Sequence, residues 1–598
     1  MTRSGNVLLR MRPRFVACAL VAGFVSAASA HEPQFQPPNP FSLASAAIGD
    51  AKPGHAVPAY ATSSRIVAIE GGALVIDADS GWLIRTDLAG APLAHLAIGI
   101  DAGTLAYDPI AKRAYVADRR GDRIAVVTVG TELAIAATWA TPAEPYGVAL
   151  APDRSTLFAT MIADRVLVAY DVATGKERWR TAIDPEPRGI SIAADGAHAA
   201  IAMLGAGVID QVELKHHKLT RLPIAQRPNR TEDQRGAFAV SYLGEHLIAT
   251  ALQIERPAGD NQNEGHYGGS FFPPIGHVVA FVDDHGGGAT AETNINEPRA
   301  IAWDSGHDAI YLVGMATDSI LQIAHGSQTD VHQGLSGSIG TRCGADGLAI
   351  DPEGNVLVWC SFPRLVVKVT VGDTLVAKSG PELVASNLDA TQHLGMVMFH
   401  TADSNVSFAG GMSCGNCHLD GRSDGTSWLI HQQRLQTPML AGRLVGTAPY
   451  KWDGGAKDLK TSLRATIDRL GGDGLSQKHL AALVAYLEAM PAVRTPTRDH
   501  AAVARGKELF DSAELGCTQC HDGPMHTDRQ RHKLSGGTFD TPSLIGIAAS
   551  APYFHDGSAP TLDTLLRDHG AVHGMAGDAT GVLTDAQRAD VVAFLETL

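Results

Sequence analysis

Tyr107-Asp108-Pro109, followed by Ala114-Tyr115-Val116-Ala117 and Ile124-Ala125-Val126-Val127, is a unit of short β-rich runs separated by turn residues. It is echoed by Ala151-Pro152, Leu157-Phe158-Ala159 and Val166-Leu167-Val168, ending in Tyr170-Asp171. Aligning such units places Pro109, Pro152, Ala194, Tyr242, Ser305 and Pro352 in one column, with steps of 43, 42, 48, 63 and 47 residues. A long repeat of four short strands fits the blade of a β-propeller, in which each sheet buries its faces against its neighbours. With a further unit from Ser64 to about Ile98, seven blades are expected over residues 59–388. The longest step holds an insertion, Arg256 to Pro274, of Gly, Asn, Phe and Pro. No polar constellation repeats through the blades at ligand spacing, so the propeller is expected to be a scaffold or docking surface. Cys343 and Cys360 fall in the last blade, where an oxidising compartment permits a disulfide between them.

Toward the N-terminus, Arg10, Arg12 and Arg14 precede an apolar run from Phe15 to Val25, and Ala28-Ser29-Ala30 offers small residues for cleavage. Residues 1–30 therefore read as a signal peptide, with Cys18 discarded in it, and residues 31–58 as a Pro- and Ala-rich linker. The mature chain is expected to be periplasmic or otherwise exported, with no membrane span. A formal charge of −15 on 598 residues argues against nucleic acid as a partner and leaves small molecules and proteins.

Beyond about residue 390 the pattern turns helical and a second repeat begins. Cys414-Gly415-Asn416-Cys417-His418 and Cys517-Thr518-Gln519-Cys520-His521 each carry two thiols three apart and an imidazole directly after. The thiols can add to the two vinyl groups of haem, and the histidine then lies under the iron as proximal ligand. Zinc would want further Cys or His partners at short spacing, and a redox dithiol does not need the histidine. Each motif is followed by Thr437-Pro438-Met439-Leu440 or Thr541-Pro542-Ser543-Leu544, and then by Ala448-Pro449-Tyr450-Lys451-Trp452-Asp453-Gly454 or Ala551-Pro552-Tyr553-Phe554-His555-Asp556-Gly557. From first cysteine to final glycine the span is 40 residues in both copies. Each copy closes on a capped amphipathic helix, after Ser476 and after Thr584. Two mainly α cytochrome c-type domains, 389–494 and 495–598, each with one haem c, are expected. Candidate sixth ligands are His569 for the second haem, with His573 and Met575 as alternatives, and His431 for the first, with Met439 or an open position as alternatives.

These motifs, in this order and spacing, resemble the bacterial di-haem cytochrome c peroxidase and MauG-like family over about a third of the chain. The propeller resembles the YVTN-type family at the level of its repeat. The first resemblance implies that the first haem is peroxidatic, that the second receives electrons, and that Trp452 relays them. It also implies a possible calcium ion between the haem domains. His569 falls where the family places the sixth ligand of the electron-transferring haem, and His431 near the dissociable histidine of the peroxidases. The family's peroxidatic Gln and Glu fall on Ser462 and Gly472, neither of which can do acid–base work. Asp473 is one residue from the second position. The expected function is a periplasmic di-haem oxidoreductase of the peroxidase or MauG class, with an electron-donor protein (a small cytochrome or cupredoxin) or a small-molecule substrate as partner. The alternatives are a non-enzymatic di-haem electron carrier and a propeller-based dehydrogenase that feeds the haems.

Overall fold

The computed structural model describes residues 44–45, 55–226, 233–255, 274–284, 286–324, 334–430, 432–534, 536–568 and 583–598. The signal peptide, the insertion up to residue 273, and His431, His569, His573 and Met575 lie outside the described residues.

Seven antiparallel sheets follow one another along the chain, at 66–97, 105–140, 145–182, 187–223, 233–293, 298–338 and 345–379. Six have four strands hydrogen-bonded in sequence order, and this is the expected seven-bladed propeller. The fifth blade is irregular: its long strands Leu247–Glu255 and Ile275–Asp283 flank the insertion, and Ala44–Ser45 adds a strand to its outer edge. Within a blade, burial falls from the axis outward. In the third, every residue of Pro145–Leu150 is buried, whereas no residue of the outermost strand Glu177–Ala182 is. Inner strands are crowded by both neighbouring blades and so favour small apolar residues, while outer strands can alternate toward water. Cys343 and Cys360 are joined in a disulfide, with Cα atoms 4.6 Å apart.

The chain enters the first blade through the propeller axis. Ser63 N–H donates to the Ile190 carbonyl, Leu105 N–H to the Ser64 carbonyl, and Ser64 Oγ to the Leu348 carbonyl. One short segment thus ties the innermost strands of three blades together and occupies the channel between them.

The described residues from 390 onward form two copies of one helical arrangement. In the first, Ala390–Phe399 crosses Gln477–Ala489; in the second, His500–Phe510 crosses Asp585–Leu595. Both crossings are made at a glycine. A Cβ on Gly395 would lie 2.0 Å from the Ala482 carbonyl oxygen, and one on Gly506 would lie 1.9 Å from that of Asp590. The helices are capped as expected, Ser476 accepting from His479 N–H and Thr584 from Gln587 N–H. Other equivalent features recur: hairpins Ser427–Gln436 and Arg531–Asp540, the bridges Tyr450 to Ala456 and Tyr553 to Ala559, and cis bonds before Pro449 and Pro552. Among the described residues no helix is long and apolar enough to cross a membrane.

Candidate functional site

The two C-x-x-C-H segments have the same spacing but very different surroundings. The first, Cys414–His418, lies against the mouth of the propeller. Asn416 is completely buried; its Nδ2 faces Asn296 Oδ1 at 3.0 Å and His277 Nε2 at 3.2 Å, and its carbonyl accepts from Gln253 Nε2 at 2.7 Å. Leu419 packs on Leu204 and Phe238. Asp420, in the left-handed region at φ 52°, is received by Arg188 at 3.1 Å and Arg299 at 3.1 Å. Burial alone would raise the Asp420 carboxyl, but Arg188 and Arg299 hold it well below the usual carboxylate range. Arg422, 2% exposed, donates to Glu144 and to Glu186, at 2.6 and 2.7 Å. Arg119 bonds the same Glu144 oxygen, Oε1, at 2.7 Å, and the Arg299 guanidinium stacks 3.6 Å above the Phe238 ring.

The cradle is built on a polar motif that a search for groups at ligand spacing misses. Glu144-Pro145-Tyr146-Gly147, Glu186-Pro187-Arg188-Gly189 and Glu297-Pro298-Arg299-Ala300 are one motif placed where three blades begin. All three glutamates take positive φ, at 64°, 63° and 48°. That conformation costs a non-glycine residue on the order of 1–2 kcal/mol and is kept where surrounding contacts over-determine it. Here each glutamate is turned toward the helical part. Glu297 bonds His400 Nδ1 at 2.7 Å and accepts a short hydrogen bond from Ser413 Oγ. Further round the mouth, Arg235 donates to Thr426 Oγ1 at 3.1 Å, and Thr426 bonds the buried Glu255. The signal was present in the sequence as the recurring Glu-Pro pair, offset from the strand column that reveals the blades.

His418 is pushed down to about 4 by burial, with Lys451 adding to the effect. Its Nδ1 is buried without a hydrogen-bond partner among the described residues, with the backbone of Pro438 and Arg422 beside it. A neutral imidazole held in an apolar setting suits a metal ligand. Cys414 of the same turn packs with Leu440, Tyr450 and Leu463 on Phe399, Leu444 and Leu483.

The second segment, Cys517–His521, is at the surface, with Asp511, Glu514, Gln519 and Asp522 exposed around it. His521 Nδ1 bonds the His526 carbonyl at 3.0 Å, which orients the ring and leaves Nε2 for a ligand role. Cys517 and His521 open onto a cavity walled largely by apolar side chains, including Phe510, Leu544, Tyr553 and Leu566. An apolar chamber with the first thiol of the motif and one oriented imidazole on its wall fits a covalently attached haem. Trp452 lines the same cavity. Its Nε1 donates to the Gln436 carbonyl at 2.7 Å, and its own carbonyl accepts from Asp540 N–H at 2.8 Å. Met439 also lines this cavity, and its Cε would lie 2.6 Å from a Cβ on Gly546, so it faces the second copy rather than the first.

Ser462 lies half-buried on helix Leu459–Arg469. At Gly472 a Cβ would meet the Val406 carbonyl oxygen at 2.6 Å, so this backbone cannot carry a glutamate without moving. Asp473 is exposed. None of the three provides a buried acid–base pair. Among the described residues Cys520, Asp528 and His532 bring ligand atoms within 4.8 Å of one another, but Cys520 is also a candidate haem-attachment cysteine.

The family described as RoxA-like, cytochrome c-like matches residues 538–570, the stretch holding the Pro552-Tyr553 turn. The methylamine utilization protein MauG of Methylorubrum extorquens is 26% identical over 276 residues, 34% of this chain and 77% of its own length. The cytochrome c551 peroxidase of Nitrosomonas europaea is 24% identical over 270 residues, 34% and 78% of the two chains. Hydrazine synthase subunit gamma of Kuenenia stuttgartiensis is 25% identical over 270 residues, 33% and 76% of the two. A structure of Kuenenia stuttgartiensis hydrazine synthase aligns at 13% identity over 55% of this chain and 99% of that chain, with a TM-score of 0.43. The cytochrome c part is thus similar to MauG and to cytochrome c peroxidases, and relatives of this kind imply covalently bound haem c.

Proposed function

We propose that this protein is an exported di-haem c-type oxidoreductase of the peroxidase and MauG kind, whose propeller holds its own cytochrome part in place. Cys414, Cys417 and His418 would hold one haem, and Cys517, Cys520 and His521 the other. The observation that carries this reading is the apolar cavity walled by Cys517, His521 and Trp452. Bound haem supplies one-electron chemistry and, where an iron keeps an open position, reaction with peroxide.

The chain's own residues divide the work. His526 fixes the tautomer and plane of His521 through its carbonyl. The indole of Trp452, pinned by Gln436, stands in the wall between the two copies and is the relay candidate. The cradle of Glu144, Glu186, Glu297, Arg188 and Arg299 seals the first segment from bulk water, while the second stays accessible to an electron-donor protein such as a small cytochrome or cupredoxin. The Cys343–Cys360 disulfide supports an oxidising compartment, the periplasm in this reading.

The absence of a buried acid–base pair at Ser462, Gly472 and Asp473 favours a second reading, a di-haem electron carrier. The propeller-based dehydrogenase loses support: the axial channel holds the entering segment, and the mouth is filled by Asp420 and Arg422. Mass spectrometry of the purified full-length chain should find two attached haems. Absorption and EPR spectra, oxidised and half-reduced, should show one of them reacting with added hydrogen peroxide. Two inert low-spin haems would leave the carrier, and a chain without covalent haem would end both readings.

A further inference from the structure

The Glu297 carboxylate is a propeller group that reaches the first C-x-x-C-H turn itself. It is 2% exposed, and four groups from three places converge on it. His400 Nδ1 comes from the end of helix Ala390–Phe399 at 2.7 Å, and Ser413 Oγ from the residue before Cys414. Arg299 lies on the same blade at 3.8 Å. The fourth is Gly415, whose missing side chain makes room: a Cβ there would lie 2.4 Å from Glu297 Oε1. At position 415 any larger residue would have to displace the carboxylate. The corresponding residue of the second segment is Thr518, half-buried beside the exposed Gln519. The two copies therefore differ at a position that haem attachment does not constrain.

A fixed negative charge in a dry interior acts over a longer range than one in water, because little solvent is present to screen it. Hydrogen bonds, burial and nearby charge are among the levers by which a protein sets a haem potential. We propose that Glu297 is a positioning residue for the first haem: its carboxylate, seated over Gly415 and held by Ser413 and His400, sets that haem's reduction potential apart from the second's. The inference rests on haem being attached at Cys414 and Cys417. A negative charge favours the oxidised iron, so its loss raises the potential; loss of Arg299, the neighbouring cation, lowers it.

The test is an EPR-monitored redox titration of the full-length holoprotein and four variants, after mass spectrometry has counted the haems. Glu297→Gln keeps the shape and should shift the oxidised-to-reduced ratio of the first haem about tenfold toward reduction, equivalent to ~59 mV for one electron. Arg299→Gln should move the same haem the opposite way. Gly415→Ala, which displaces the carboxylate, should move it in the direction of Glu297→Gln. Asp522→Asn, an exposed acid beside the second segment, should move neither. If only one haem or none is attached, the di-haem reading fails first. With two attached, unmoved potentials in both Glu297→Gln and Gly415→Ala, or equal shifts of both haems, overturn the inference. Should Glu297→Gln not yield folded protein, the opposed signs of Gly415→Ala and Arg299→Gln decide it.

Discussion

Replacing Arg422 by Met tests whether the propeller holds the cytochrome part. The guanidinium is 2% exposed and bonds Glu144 at 2.6 Å and Glu186 at 2.7 Å, residues of two different blades. Removing one partner of a buried ion pair costs about 3–5 kcal/mol, because the remaining charge stays desolvated. Each glutamate keeps a second arginine, Arg119 for Glu144 and Arg188 for Glu186, so the loss should fall at the lower end, about 3 kcal/mol or roughly a hundredfold in the docking equilibrium. The loss should act on the contact and spare the propeller, whose apolar clusters do not include these residues. Denaturant unfolding followed by haem absorption and, separately, by far-ultraviolet circular dichroism distinguishes the two, since a chain of several domains need not unfold in one step. The haem signal should lose its midpoint first while the β signal stays in place. Breaking the exposed Arg505–Asp590 pair should leave both midpoints unchanged. A loss below about 1 kcal/mol for Arg422→Met, or both probes moving together, would refute the reasoning.

Acid should loosen the same contact. Glu144, Glu297 and Asp420 are all held below their ordinary range in the folded protein: burial opposes this, and Arg422, His400 and Arg188 respectively are the strongest opposing influences. A depressed folded value gives stability that is complete above the unfolded value of about 4 and is lost as pH falls below it. The haem-absorption midpoint should therefore hold down to about pH 5 and drop between there and pH 3; a flat profile over that range would count against the cradle. Replacing Cys343 and Cys360 by Ser should destabilise the last blade by about 3 kcal/mol, given a sequence separation of 17, measured as a lowered circular-dichroism midpoint. Trp452→Phe should slow electron equilibration between the two haems in stopped-flow reduction while leaving both potentials in place; an unchanged rate would remove Trp452 as the relay.

Much of this architecture is legible in the chain. The blades declare themselves because each repeats the same alternation of apolar strands and turn residues, a local signal renewed every 42 to 63 residues. The duplicated helical part is legible because haem attachment demands adjacent residue types in fixed order. The cradle is not legible in the same way. Arg422 is 278 residues from Glu144 and 236 from Glu186, and Arg188 is 232 from Asp420. No local period encodes partners so far apart. What the sequence does carry is half of the interaction, the Glu-Pro pair at 144, 186 and 297, which becomes meaningful once the blades align those positions around one mouth.

The same logic separates the two C-x-x-C-H segments, which spacing alone makes equivalent. Both need two thiols and one imidazole, so those positions agree. The residues between and after the cysteines are free of that demand and report the surroundings instead. In the first segment they are Gly415, Asn416 and Asp420, each committed to a propeller side chain. In the second they are Thr518, Gln519 and Asp522, with Gln519 and Asp522 exposed. A glycine beneath a glutamate, an asparagine wholly buried and an aspartate between two arginines have no use on an open surface. Their presence marks the first segment as built against the propeller, and this asymmetry underlies assigning the accessible second segment to electron entry and the enclosed first segment to the chemistry.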